Sequence, residues 1–236
     1  MKARQVQEQL RSLSSPEAAA LAARFFKTGP GQYGEGDVFL GLSAAEMHKL
    51  AKEHRTLSFA DLKVLLRSAI HEDRMLALLI LVLRTSKSDE ATKKQVYDLY
   101  LAHTRYINNW DLVDASAREI VGGYLADKGR EPLYQLVASQ NLWERRISIV
   151  ATHYFIRQND FADTLRVAER LLNDREDLIH KAVGWMLREV GKKQQPALEV
   201  FLRRHGKVMP RTMLRYAIER FPEDLRKAYL NGSACG

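Results

Sequence analysis

The chain has 236 residues, 46% hydrophobic and 28% charged, which allows a sizeable core and excludes wholesale disorder. Its longest apolar run, "MLALLILVL" at 75–83, is too short to span a membrane. Its single cysteine, Cys235, supports neither a disulfide framework nor a Cys-based zinc site, so the chain reads as intracellular. The net charge of +8 fits either simple solubility or an anionic partner, with nucleic acid first among the candidates.

The N-terminal "MKARQVQEQLRSL" alternates charged and apolar residues and lacks the apolar stretch of a signal peptide. Ser15-Pro16 supplies an N-cap followed by Pro at the first helical position. The stretch "TGPGQYGEGDVFLG", 28–41, holds five glycines and a proline and is the one clear non-helical segment. It lacks the Lys and Ser/Thr of a phosphate-binding P-loop. It therefore reads as a connector between two helices whose aromatics, Tyr33 and Phe39, pack. Ser43 with Glu46 forms a capping box before "EMHKLAKEH", and Ser58 with Asp61 opens "FADLKVLLRSAI".

Helical periodicity continues through "EDRMLALLILVLR", "TKKQVYDLYLA", residues 110–124, "LWERRISIVATHYFIR", "FADTLRVAERLL", "LIHKAVGWMLREV", "ALEVFLRRH" and "RTMLRYAIERF". No alternating strand interrupts it. The expected fold class is all-α, one domain over residues 1–230, with 231–236 as a flexible tail.

A repeat runs through these helices. Arg74, Arg146 and Lys181 stand at comparable places in three apolar segments. The steps between them are 72, or two units of 36, and 35, with residues 110–124 filling the missing unit. Helix pairs at this period predict a HEAT-like right-handed solenoid of about six pairs, with a concave face built from second helices.

The three tryptophans each precede a charged residue by about one helical turn: Trp110 with Asp114, Trp143 with Arg146, Trp185 with Arg188. One reading buries each Trp in the core while its charge snorkels outward. The other gathers the pairs on one concave face. Competing chemistries lack their residues. The histidines are scattered without an H-E-x-x-H pair, and there is no nucleophile elbow or dinucleotide fingerprint. His71, Glu72 and Asp73 crowd before a helix, where capping accounts for them. Asp111 suits the dipole of a first helical turn.

"YGEGDVFLGL", "NNWDLVD" at 108–114, "LWERRISI" at 142–149 and "KAVGWMLREVGK" at 181–192 occur in order over nearly the whole chain. In these pieces the sequence resembles the DNA alkylation repair family of HEAT-like-repeat DNA glycosylases, the AlkD-like proteins. The resemblance implies a concave basic cleft that binds double-stranded DNA. It implies a catalytic set of Asp114, Trp110 and Arg146, with Trp185 as a further aromatic of the cleft. Arg188, Lys181, Arg145 and Phe25 are expected at the DNA or substrate. The sequence departs from the family at Phe25, where some members carry Tyr, and at "LSAAE", 42–46, where others have a Thr-Pro helix start.

The activity implied is excision of N3- or N7-alkylated purines from alkylated DNA in base excision repair, with no cofactor and no metal, by a cytoplasmic, nucleoid-associated monomer. Breaking the N-glycosidic bond builds an oxocarbenium-like charge that a fixed carboxylate stabilises. Surplus cations such as Lys93, Lys94, Arg203, Arg204 and Arg211 would bind phosphates without reading sequence. The alternative from another class is a non-catalytic HEAT-repeat scaffold that binds nucleic acid or protein. Asp114 separates the two, because a pure phosphate binder gains nothing from a carboxylate in its groove.

Overall fold

The computed structural model describes residues 2–86 and 88–234, and Cys235 lies outside them. The described residues are helical throughout, apart from turns and one isolated parallel bridge between Val38 and Ile70. They gather into two compact units, Met1–Ser116 and Ala117–Gly236.

The first unit contains α1 (Ala3–Ser12), α2 (Pro16–Phe25), α3 (Ala44–Glu53), α4 (Phe59–Leu66), α5 (His71–Thr85), α6 (Glu90–Leu101) and α7 (Trp110–Asp114). The expected caps are present. Ser15 accepts from Ala18 N, Ser43 and Glu46 cap reciprocally, and Ser58 accepts from Asp61 N. α5 is the centre of this unit. Leu76, Leu78, Ile80 and Leu81 are fully buried, and α3, α4 and α6 pack around them. The loop after α2 returns over α5, with His71 N donating to Val38 O at 2.8 Å. Gly41 closes that loop with φ +84°, and a Cβ there would lie 2.5 Å from Ser15 O and Ala19 N.

The second unit opens with a π-helical turn, Arg118–Gly122. It continues through α8 (Gly123–Leu125), α9 (Glu131–Leu136), α10 (Leu142–Ala151), α11 (His153–Arg157), α12 (Ala162–Arg170), α13 (Asp177–Lys193), α14 (Gln195–His205), α15 (Arg211–Ala217) and α16 (Glu223–Leu230). α13 is the centre here, packed by α10, α14 and α15. Gly184 permits that packing, since a Cβ would lie 2.4 Å from Tyr216 Cβ and 2.5 Å from Met213 O. Residues 231–234 turn back on α16, with Ala234 N bonded to Ala228 O at 3.1 Å.

Several boundaries differ from the sequence expectation. The helix expected over 110–124 divides into α7, the π turn and α8. Ser116 Oγ bonds back to Leu112 O at 2.5 Å, a local competitor to the helical ladder. "LWERRISIVATHYFIR" breaks at Thr152, whose hydroxyl donates to Ile149 O at 2.7 Å. "FADLKVLLRSAI" stops at Leu66, where Arg67 ends the helix. α1, α9 and α16 were not expected. They are short helices whose burial, at residues such as Val6, Leu10, Leu133 and Tyr229, comes from tertiary packing.

Candidate active site

α7 is short and strongly capped. Asn109, fully buried, accepts from Trp110 N at 2.8 Å, and Asp111 Oδ1 accepts from Leu112 N at 2.8 Å. Leu112 and Val113 turn into the core and are fully buried. The i, i+4 spacing then places Trp110 and Asp114 side by side on the other face. Both are half-buried and line one pocket of about 390 Å³. Its apolar wall includes Phe26, Phe39, Met47 and Met75, and His71, Glu72 and Asp111 share its lining. The face that carries both an aromatic and a carboxylate therefore opens on a pocket and not on the core.

Trp110 is held by other rings. Phe26 lies 5.2 Å from it, and Phe25 meets it edge-on at 5.8 Å while remaining 65% exposed. The indole Nε1 donates to Tyr33 Oη at 3.2 Å. Phe39 stacks on Phe26 at 5.0 Å and on His71 at 4.4 Å. Tyr33 and Phe39 thus pack as the sequence suggested, and their partners belong to the pocket.

His71, Glu72 and Asp73 do not cap a helix, as the sequence had suggested. Ile70 occupies the N-cap position without a side-chain cap, and the three side chains are buried in the first turn of α5. Burial obliges each to find partners. Glu72 accepts from Leu40 N at 2.9 Å and Gly41 N at 2.8 Å. Asp73 accepts from Gln7 Nε2 at 2.9 Å and Ser68 Oγ at 2.6 Å.

His71 Nδ1 lies 3.0 Å from Asp37 Oδ2, and Nε2 lies 2.8 Å from Asp111 Oδ2. Burial pushes the imidazole down, but the hydrogen bonds and charges of Asp111 and Asp37 prevail and raise it to about 9. Asp37 also pairs with buried Arg74. Burial opposes the charge on Asp37, yet His71 and Arg74 hold it below the usual carboxylate range. Sequence reasoning missed this cluster because its members are 34 and 40 residues apart.

In the second unit α10 and α13 carry the remaining expected residues. Trp143 is buried, so its pairing with Arg146 belongs to the core reading. Arg146 is 5% exposed and donates to Leu178 O at 2.6 Å, bracing the first turn of α13. Arg145 binds Asp174 at 2.6 Å and the carbonyls of Ser139 and Gln140 at 3.1 and 3.0 Å. Both guanidiniums are thus engaged inside the protein.

Along α13, Lys181 pairs with Asp177 at 2.7 Å and holds that carboxyl below its usual range. Trp185 is half-buried and meets His153 edge-on at 5.7 Å. Burial, then the charge of Arg118, pushes His153 below its ordinary value. Arg188 pairs with Glu219 and approaches Glu189 at 3.6 Å. Among the described residues no group of His, Cys, Asp or Glu is placed to hold a metal ion, and no helix is long and apolar enough to cross a membrane.

The family described as "DNA alkylation repair enzyme" matches residues 6–221. The chain belongs to the DNA alkylation repair enzyme family. A structure from Enterococcus faecalis, described as a "predicted DNA alkylation repair enzyme", superposes with TM-score 0.67 at 20% identity, over 89% of this chain and 97% of that one. AlkD2 from Streptococcus mutans superposes with TM-score 0.56 at 15% identity, over 88% and 98%. The smu.31 structure from Streptococcus mutans UA159 gives 0.53 at 16% identity, over 94% and 99%. No curated protein sequence matches. The DNA alkylation repair fold here is the all-helical repeat architecture of these structures, and family membership points to DNA as the substrate.

Proposed function

We propose that this member of the family is a monofunctional DNA glycosylase that releases N3- and N7-alkylated purines. The observation that carries this reading is the Trp110–Asp114 face. A tryptophan and a carboxylate share the lining of a pocket on a short, capped helix. N-alkylation makes the purine cationic and a good leaving group. Its bond to C1′ breaks with the electron pair passing to the base nitrogen, which neutralises the base. Positive charge is left on the deoxyribose. Asp114 stabilises that charge and positions the water whose oxygen bonds to C1′, while the water's proton passes to the carboxylate or to solvent. A preorganised group of this kind is worth about 3–4 kcal/mol. Trp110 offers a π face to the cationic sugar or base, worth about 0.5–2 kcal/mol.

Arg146 remains in the catalytic set as a support. Its bond to Leu178 O braces α13, the helix that carries Lys181, Trp185 and Arg188, the residues assigned to DNA contact in this unit. Arg145 acts in the same way through Asp174, and exposed Phe25 meets the DNA beside Trp110. The helix pairs act as HEAT-type repeats of a cytoplasmic monomer that works on duplex DNA without metal or cofactor. The deciding experiment incubates the protein with duplex DNA containing 7-methylguanine and assays released base. Release that depends on Asp114 is expected. Tight DNA binding without release would leave a binding scaffold instead.

A further inference from the structure

We propose that His71 is a positioning residue for the Trp110–Asp114 face: donating from both ring nitrogens, to Asp37 in the loop and to Asp111 in α7, it fixes the loop against the helix that presents that face. The inference rests on the reading of that face as the reacting one. α7 has only five residues, too few to hold its own geometry. Its orientation is set by what grips its ends. At the N-terminal end there are two such grips on Asp37. Asn109, which caps Trp110 N, reaches Asp37 Oδ2 at 3.4 Å, and Asp111, adjacent to Trp110, reaches it through His71.

The chemistry of this bridge is specific. A neutral imidazole has one N–H donor, and only the doubly protonated ring has two. His71 is 3% exposed and has a carboxylate oxygen within 3.0 Å of each nitrogen. Loss of one proton turns one nitrogen into a lone pair facing a carboxylate, and that tie then opens. The ring itself belongs to the wall behind the tryptophan. It stacks on Phe39 at 4.4 Å and lies 5.3 Å from Phe26, which lies 5.2 Å from Trp110. A shift of the imidazole is therefore felt by the indole through packed rings.

The charged groups around His71 are accounted for. Asp37 and Arg74 stand on one side and Asp111 on the other. Glu72 is occupied by the Leu40 and Gly41 amides, and Asp114 and His48 line the shared pocket. A glutamine at position 71 fills similar space but has a single donating group. It cannot serve two carboxylates on opposite sides.

The test is a pH titration of tryptophan emission on the intact protein, compared with Trp110→Phe, His71→Gln and Asp111→Asn. The native protein should show a transition near 9, which Trp110→Phe lacks. His71→Gln should abolish it, and Asp111→Asn should move its midpoint down by about one unit or more. Single-turnover base release by His71→Gln should fall about tenfold at neutral pH, a cost of ~1.4 kcal/mol, with DNA affinity unchanged.

A transition near 9 that persists in His71→Gln, or a midpoint that Asp111→Asn leaves unmoved, overturns the proposal. If His71→Gln does not fold, the Asp111→Asn midpoint decides alone. If the native protein releases no base, the glycosylase reading fails, and the emission titration still decides whether His71 sets the Trp110 face.

Discussion

Trp110 and Trp185 are both half-buried tryptophans on helices of their own compact unit, yet their surroundings are opposite in character. Trp110 lies among Phe25, Phe26 and Tyr33, with Asp114 and Asp111 on the same pocket. Trp185 lies against His153, which burial and then the charge of Arg118 depress, with Lys181 and Arg188 on its own helix paired to Asp177 and Glu219. Charge follows the same division. Residues 1–116 carry 16 Lys and Arg against 14 Asp and Glu, while residues 117–236 carry 21 against 15. Most of the +8 therefore resides in the second unit. The comparison teaches that one aromatic residue type serves two tasks. In the first unit it stands among rings and carboxylates, and in the second beside an imidazole and the basic side chains of its own helix.

The largest effect that can break this division is at Asp114. Asp114→Asn should slow excision of alkylated purines by about 10²–10³-fold. DNA affinity should hold or rise, because a negative charge leaves the DNA-facing surface, and the melting temperature should change little. Single-turnover base release and thermal melts on one preparation check this, and excision at the native rate would remove Asp114 from the chemistry.

Next in size is a pH effect confined to the first unit. His71 is raised above the ordinary value of 6.5 to about 9. Its contribution to stability is therefore complete below pH 6.5 and lost as pH rises through about 9, worth roughly 3 kcal/mol. Asp37, held low, contributes in the opposite sense and loses its part only as pH falls below the ordinary carboxylate range. Denaturant unfolding at a series of pH values should show this alkaline decline in the native protein, and a much smaller one in His71→Gln.

Gly184→Ala sharpens the second half of the comparison. The new methyl would meet Tyr216 and Met213 backbone, an overpacking cost of about 1–3 kcal/mol. Gain in helix propensity returns only about 1 kcal/mol. Unfolding free energy should fall, and DNA affinity should fall with it as α13 is pushed away from α15.

The smallest change expected is in salt dependence. Arg203→Glu with Arg204→Glu should reduce the slope of affinity against salt by about two phosphate contacts, leaving release at saturating protein unchanged. A native affinity that is flat with salt would show that the surplus charge does not meet phosphate.

Much of the fold was legible because its signals are local. Ser15, Ser43 and Ser58 cap the helices they precede, and the apolar run of α5 is its unit's core. Trp110 and Asp114 were legible as one face from their spacing. The rest depends on contacts that no spacing encodes. His71 looked like a capping residue because Asp37 and Asp111 reach it only through the fold. Arg146 was expected in the catalytic set and Arg145 at the DNA because the resemblance implies it, and no spacing shows what else they hold. Their guanidiniums hold Asp174 and the carbonyl of Leu178, contacts that only the fold reveals. A repeat places residues at the joints between helices as well as on the surface, and the two are indistinguishable in a period. The division of 110–124 was hidden because Ser116 is an ordinary helix residue until its hydroxyl bonds back.

The glycine-rich loop after α2 has the composition of a flexible tether, yet α5 holds it by Glu72 on two amides, by His71 and Arg74 on Asp37, and by stacking on Phe39. Its conformational freedom is thus surrendered when the chain folds and not when DNA arrives. The Leu40 and Gly41 amides should exchange with solvent on the timescale of opening the first unit, and proteases should find no purchase between residues 37 and 41. Tyr33, carried by that same loop, keeps its hydroxyl on the Trp110 indole in the free protein. The ordering entropy that a mobile loop would add to each encounter with DNA has already been removed.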